Sequence, residues 1–274
     1  MQGGRRAPPL PKILVVGVGR LGGALASGYQ ARGGWTRAVP HSAVSRRTAR
    51  TFYLKTPTPP EWKEATLCFL CVPDAAVALV ATEVAPKLSA SAALVHCAGA
   101  LTLEGFGTST EVLGRDRGSF HPLRGMASPR DSIAGAIIAL SASSRSLLFH
   151  LRQVATLLEA TTLRVPERER ARYHASAVMS SAGVVALLSL AAREMREAGL
   201  SEGEARRAVL SLATGALGAL ERYGFERSLT GPWVRGDAKT VSRNLSALSG
   251  PGRVLYRGLM REGLKLVRPK SPRE

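Results

Sequence analysis

Residues 12–22 read Lys-Ile-Leu-Val-Val-Gly-Val-Gly-Arg-Leu-Gly, and this stretch decides the fold. Ile13, Leu14, Val15 and Val16 form a short unbroken apolar run, which suits a strand covered on both faces in a parallel sheet. Gly17-x-Gly19-x-x-Gly22 follows at once. Gly17 permits the tight turn, Gly19 lets backbone approach a pyrophosphate, and Gly22 lets the following helix pack closely on the strand. That helix, over residues 21–32, presents unpaired N–H groups and the positive end of its dipole to an anion. Strand, glycine turn and helix in this order predict a dinucleotide site built on Gly17, Gly19, Arg20, Leu21 and Gly22.

A NAD site places Asp or Glu roughly twenty residues beyond the glycines, to bind the ribose 2′-hydroxyl. Here a second strand, read over residues 37–45, ends in Ser45-Arg46-Arg47. No carboxylate repels a 2′-phosphate, and two guanidiniums can hold one in bidentate fashion, so the reading favours NADP (NADPH). The alternative is that Arg46 and Arg47 merely begin a solvated helix.

Residues 56–61, rich in proline, read as a loop. Residues 66–72 read as a core strand ending at Val72-Pro73-Asp74, followed by a helix through residue 87 and a strand at 92–96. Cys97-Ala98-Gly99-Ala100 then makes a small-residue turn. In an open α/β sheet ligands bind at this carboxyl edge, so Val72, Pro73, Cys97, Ala98 and Gly99 join the expected cofactor residues. Ser119-Phe120-His121-Pro122-Leu123 comes next, then a strand at 133–141, a helix at 146–159 and a strand at 161–165. Beyond Pro166 no strand is found. Residues 167–199 read as one long helix, apolar all round in its middle and therefore expected to be buried. Ser201 and Glu204 make a capping box for a helix to about residue 223, residues 229–237 form a polar loop, and Asp237 is the expected cap of a helix ending at 248.

Composition sets the bounds. The chain has 274 residues, enough for a sizeable core. No stretch reads as a membrane span, and the prolines before residue 12 break any signal-peptide pattern, so a cytoplasmic location is expected. Three cysteines are too few for a disulfide scaffold. Cys68 and Cys71 lie in one strand, where positions i and i+3 face opposite ways, which argues against a zinc or redox CxxC. The formal charge of +18 is scattered and aromatics make up 5%, a combination that disfavours nucleic acid as partner. No His/Asp/Glu spacing suggests a metal, and no GxSxG elbow suggests a hydrolase.

In chain order GVGRLG, VSRR, VPD, HCAGA, FHPL, RYHASAV and LTGPWVRGDAKTVSRNL resemble the Rossmann-like proteins that carry the helical domain of unknown function 2520. Tyr173-His174 and the stretch from Thr230 to Asp237 are the most specific pieces. The resemblance extends to pyrroline-5-carboxylate reductase, ketopantoate reductase and the 6-phosphogluconate dehydrogenase group. It implies an α/β fold: a doubly wound parallel Rossmann sheet followed by an all-α domain like the C-terminal domain of the 6-phosphogluconate dehydrogenases, often dimeric, with a cleft between. The expected organisation is a disordered leader at 1–11, an NADP-binding domain at 12–165, a helical substrate and dimerisation domain at 166–266 and a basic tail at 267–274. Ala98 and Ala182 depart from the family pattern, which has Ser and Asn there.

Reduction of an imine or carbonyl needs a hydride from the cofactor and a proton donor near the forming amine or alkoxide. His121 is the first candidate donor, placed after a strand edge with Pro122 fixing its backbone. Tyr173 and His174, early on the long helix, are the others, the alternative for each being a purely structural hydrogen bond. Arg235 and Asp237 either clamp a substrate carboxylate or phosphate, or serve as a helix cap and its ion-pair partner. Three classes of function follow: an NADP-dependent oxidoreductase on a small molecule, a cofactor-binding sensor without turnover, and a structural or nucleic-acid-associated protein.

Overall fold

The computed structural model describes residues 9–248 and 250–267. Most of the expected leader and nearly all of the basic tail lie outside them. The chain divides into two compact units, residues 1–181 and 182–274.

The first unit is built on a seven-stranded sheet. β1 (Ile13–Val16) leads through the glycine turn into α1 (Arg20–Ala31), β2 (Thr36–Val39), α2 (Ala43–Thr51), α3 (Pro59–Glu64) and β3 (Leu67–Leu70). α4 (Val77–Val84), β4 (Ala93–His96), α5 (Thr110–Leu113), β5 (Arg117–Pro122) and β6 (Ile137–Ala142) follow, then α6 (Arg145–Leu157), β7 (Thr161–Arg164) and α7 (Arg170–Ser180). The strand order is β2-β1-β3-β4-β5-β6-β7. β1 to β5 are parallel, whereas β6 runs antiparallel to β5 and β7 is parallel to β6. The sheet is therefore mostly parallel rather than wholly so. The last reversal follows from a plain return loop after β5 in place of a crossover helix.

The apolar runs of β1 and β3 serve two faces at once. Ile13, Val15, Leu67 and Phe69 pack with α1 and α6 on one side. Leu14, Val16, Cys68 and Leu70 pack with α4 on the other. The helices leaving β1 and β3 thus cover opposite faces, and this divergence opens a ligand crevice at the carboxyl edge between those two strands. Cys68 and Cys71 fall on opposite faces, as the strand period requires.

Several sequence expectations are corrected here. β2 stops at Val39, and residues 43–51 are helical because Ser42 caps that helix and exchanges hydrogen bonds with Ser45. Residues 59–64 are helical, so the loop expected over 56–61 ends early: proline stands at the first helical position, where its missing N–H costs nothing, and Glu61 accepts from the Thr58 amide at 2.8 Å. His121 lies inside β5 instead of beyond a strand edge.

The second unit holds α8 (Ala182–Glu197), α9 (Glu202–Ser228), α10 (Ala238–Ala247) and α11 (Gly250–Val267). The single long helix expected over 167–199 is broken at Ser181, whose φ/ψ of −122°/−86° is not helical, so α7 belongs with the sheet. None of α8 is buried, against the expectation of a buried axis. By length and composition Glu167–Glu197 also qualifies as a membrane span, which the sequence reading had excluded. α9 runs on to Ser228 across a kink at Gly224, and α11 was not foreseen.

The glycine turn supplies a stability test. A Cβ on Gly22 would sit 2.0 Å from the Gly17 carbonyl oxygen, whereas one on Gly19 would meet nothing within 4 Å. Gly22→Ala should cost about 1–3 kcal/mol of unfolding free energy in urea melts, and Gly19→Ala less than about 0.5 kcal/mol. Equal losses would refute this account of the turn.

Candidate active site

The turn at residues 17–22 is stitched to both neighbouring strands. The Gly17 amide donates to Val39 O at 3.0 Å, and the Cys71 amide donates to Val16 O at 2.8 Å. Gly17 has φ +88°, and a Cβ there would lie 2.4 Å from the Cys71 carbonyl oxygen, so only glycine fits. Val72 packs beside it, with Cγ1 3.0 Å from that Cβ position, and Pro73 precedes a short 3₁₀ turn. Gly19 caps α1 with no side chain on its N–H groups, and the first turn holds no acidic residue. Arg20 is exposed and Leu21 half-buried at the start of α1. An open helix N-terminus beside a position that leaves room for a Cβ but carries none fits a pyrophosphate.

Arg46 and Arg47 are exposed in the first turns of α2, past the end of β2, and no acidic residue stands in that first turn. Ser45 is buried at 5% exposure and spends its hydroxyl on Ser42, so it serves the helix cap.

Beyond β4, Cys97 and Ala98 are buried and Gly99 carries the site's closest contacts. A Cβ on Gly99 would lie 2.2 Å from His174 Nδ1 and 2.9 Å from His121 Cε1. His121 Nδ1 is 2.7 Å from the Tyr173 hydroxyl, and the His121 ring meets both the Tyr173 and His174 rings edge-on at 5.7 Å. His121, Tyr173 and His174 line a cavity of about 560 Å³ together with Arg124, Ser176 and Ser180, and no carboxylate lines it. The three sequence candidates are thus brought together, Tyr173 and His174 both turned toward His121.

Burial, then repulsion from His174 and Arg170, lowers His121 to about 4. Burial raises Tyr173 to about 12 against the pull of Arg170. At neutral pH the pair is therefore a neutral imidazole and a protonated phenol. Among the described residues His174 Nδ1 is enclosed without a hydrogen-bond partner.

Arg170 was missed by the sequence reading. It is 1% exposed, donates to Gly99 O at 3.4 Å, and pairs with Glu167 at 3.7 Å, while Glu167 accepts from the Leu103 amide at 2.7 Å. Arg170, Tyr173 and His174 stand at i, i+3 and i+4, one face of α7, and that spacing was the available signal. His96 packs against Phe106 beneath the same turn. In the second unit, Asp237 caps α10 by accepting from the Thr240 amide at 3.0 Å, and Arg235 lies close enough to lower its pKa further. Among the described residues no cluster of three metal-binding side chains occurs.

Fold and site together define a Rossmann-like architecture with a histidine–tyrosine cluster at the carboxyl edge of its sheet. Residues 136–262 match the model of a family described as a domain of unknown function, DUF2520. Among curated proteins no match is found. A candidate NADP oxidoreductase from Bacteroides fragilis superposes with a TM-score of 0.76 at 20% identity, over 93% of this chain and 98% of that one. A Thermotoga maritima protein does so with a TM-score of 0.71 at 24% identity, over 93% and 97%. The 1-pyrroline-5-carboxylate reductase of Streptococcus pyogenes has a TM-score of 0.63 at 14% identity, over 93% and 99%. At these identities the likeness is one of fold.

Burial also lowers His96 to about 4, with Arg170 adding to the effect. As pH falls below about 6.5 the unfolded chain takes up this proton before the folded one. Stability is then full above that pH and declines toward pH 4, by roughly 3 kcal/mol at most from His96. His96→Leu should flatten the melting temperature between pH 7 and pH 4.5 relative to the parent protein. An unchanged slope would exclude His96 as a source of the acid sensitivity.

Proposed function

We propose that the protein is an NADP-dependent oxidoreductase of the cytoplasm that reduces a small imine or carbonyl compound. The observation that carries the reading is the His121–Tyr173 contact of 2.7 Å, packed on Gly99 at the sheet edge that also bears the open glycine turn. The NADP named in the description of the Bacteroides fragilis protein and the 1-pyrroline-5-carboxylate named in that of the Streptococcus pyogenes reductase support it. Three free thiols suit a reducing compartment.

A bound nicotinamide dinucleotide would supply the hydride. Gly17, Gly19 and Gly22 with the first turn of α1 would hold its pyrophosphate, and Arg46 with Arg47 its 2′-phosphate. Val72, Pro73, Cys97, Ala98 and Gly99 would flank the rest. Tyr173 gives its hydroxyl proton to the nitrogen or oxygen that gains electrons. His121, as its Nδ1–H tautomer, replaces that proton along the same contact while Nε2 takes one from water, and the resulting neutral Nε2–H tautomer returns to the Nδ1–H form by proton exchange with water before the next turnover. Its lowered proton affinity is what keeps it from trapping the proton as an imidazolium. In the helical unit, Arg235 and Asp237 would bind a carboxylate or phosphate, with Asp237 also capping α10 by accepting from the Thr240 amide. Exposed Val185, Leu212 and Leu217 on α8 and α9 support a homodimer formed through that unit. A sensor without turnover is the second reading, favoured by an apolar Ala98 where the family pattern carries Ser.

Replacing Arg46 and Arg47 together by Ala should weaken NADPH by about tenfold or more in calorimetric titration and leave NADH nearly unchanged, since each lost charged hydrogen bond is worth about 1.5–3 kcal/mol. Equal losses for both would sink the 2′-phosphate assignment. Tyr173→Phe and His121→Ala should each lower turnover of NADPH with cyclic imines or 2-oxo acids by roughly two to four orders of magnitude while sparing cofactor affinity. Wild-type turnover in either variant would remove that residue from the proton path, and no turnover in the parent with any substrate would move the sensor reading ahead.

A further inference from the structure

Cys71 and Cys97 are not adjacent in any sequence motif, yet their Sγ atoms stand 3.5 Å apart. β3 and β4 are parallel with Leu70 opposite His96, so Cys71 and Cys97 are the next pair in register, just past the carboxyl ends of both strands. Neighbouring positions across a parallel ladder bring Cα atoms to about 5 Å, within the span a disulfide bridges. Both side chains face α1, the one in its core cluster and the other packed against it. The Cys71 carbonyl oxygen leaves no room for a side chain at Gly17, and Cys71 Cβ stands 3.0 Å from where a Cβ on Gly22 would lie, behind the Gly17 carbonyl oxygen at 2.0 Å.

We propose that Cys71 and Cys97 form a thiol pair that low-molecular-weight disulfides oxidise to an intramolecular disulfide, and that this bridge displaces the glycine turn. Cys71 is half-buried and can be reached, whereas Cys97 is buried. The contact with Cys71 and burial hold the Cys97 thiol well above the ordinary range. Cys71 is therefore the attacking sulfur. Its thiolate opens the S–S bond of the reagent, one thiol leaves, and a mixed disulfide remains on Cys71. Cys97 then loses its proton to water, attacks Cys71 Sγ and expels the second thiol. Two protein thiols are oxidised and one reagent disulfide is reduced to two thiols. Drawing the sulfurs from 3.5 Å to bonding distance, about 2.05 Å, moves Cys71 against a turn that tolerates no added atom at Gly17 or Gly22. Cys68, fully buried on the opposite face, takes no part.

The test treats the full-length protein with glutathione disulfide and follows tryptic mass spectra together with the backbone amide resonances of Gly17, Gly19 and Gly22. We expect a linked peptide joining Cys71 to Cys97, a mass lower by two hydrogens, and shifted glycine amides that dithiothreitol restores. Cys97→Ser should instead accumulate the glutathione adduct on Cys71, and Cys68→Ser should behave as the parent. Absence of the linked peptide, or a linked peptide with unmoved glycine amides, would overturn the proposal. None of these readouts requires cofactor binding or turnover, so the outcome is independent of the oxidoreductase reading.

Discussion

Everything at the carboxyl edge of the sheet depends on how closely residues 17–22 approach the end of β3. Gly17 is pinned between Val39 and Cys71, and Gly22 sits on the Gly17 carbonyl. That double contact fixes the direction in which α1 leaves the sheet. Its uncapped N–H groups then face outward at the strand switch instead of into a neighbouring element. Gly19 differs from its two companions because, among the described residues, nothing lies within 4 Å of where its Cβ would stand.

A second constraint organises the reactive groups. α7 begins with a buried cation that reaches back to the loop after β4, where the Arg170 guanidinium meets the Gly99 carbonyl and its partner Glu167 meets the Leu103 amide. Tyr173 and His174 ride one turn further along the same face and are carried against His121, a residue of β5. The same charge discourages protons on His96 and His121 and eases the ionisation of Tyr173. Geometry and proton affinity therefore come from one anchored helix face.

Much of the architecture could be read from the residues. The glycine turn, the core runs of β1, β3 and β4 and the capping roles of Ser201 and Asp237 depend on local chemistry and were found. His121, Tyr173 and His174 were singled out separately, but their meeting is a long-range event between β5 and α7 that no local pattern encodes. Arg170 escaped because a buried arginine in a segment rich in arginines looks like any solvated one until its partners are known. The second strand was drawn too long because Val44 and the residues around it are compatible with either state, and the reciprocal Ser42–Ser45 bonds decided for helix. The continuous helix over 167–199 failed for a similar reason, since Ser181 carries nothing in its side chain that announces a break.

That break at Ser181 has an evolutionary side. The first compact unit ends there, and it already contains the glycine turn, Arg46 and Arg47, Gly99, His121 and the whole reactive face of α7. Substitutions in the helical unit can therefore rewrite its surfaces without touching a residue of the glycine turn or of the His121–Tyr173 contact. The two halves of such a chain are free to change at different rates.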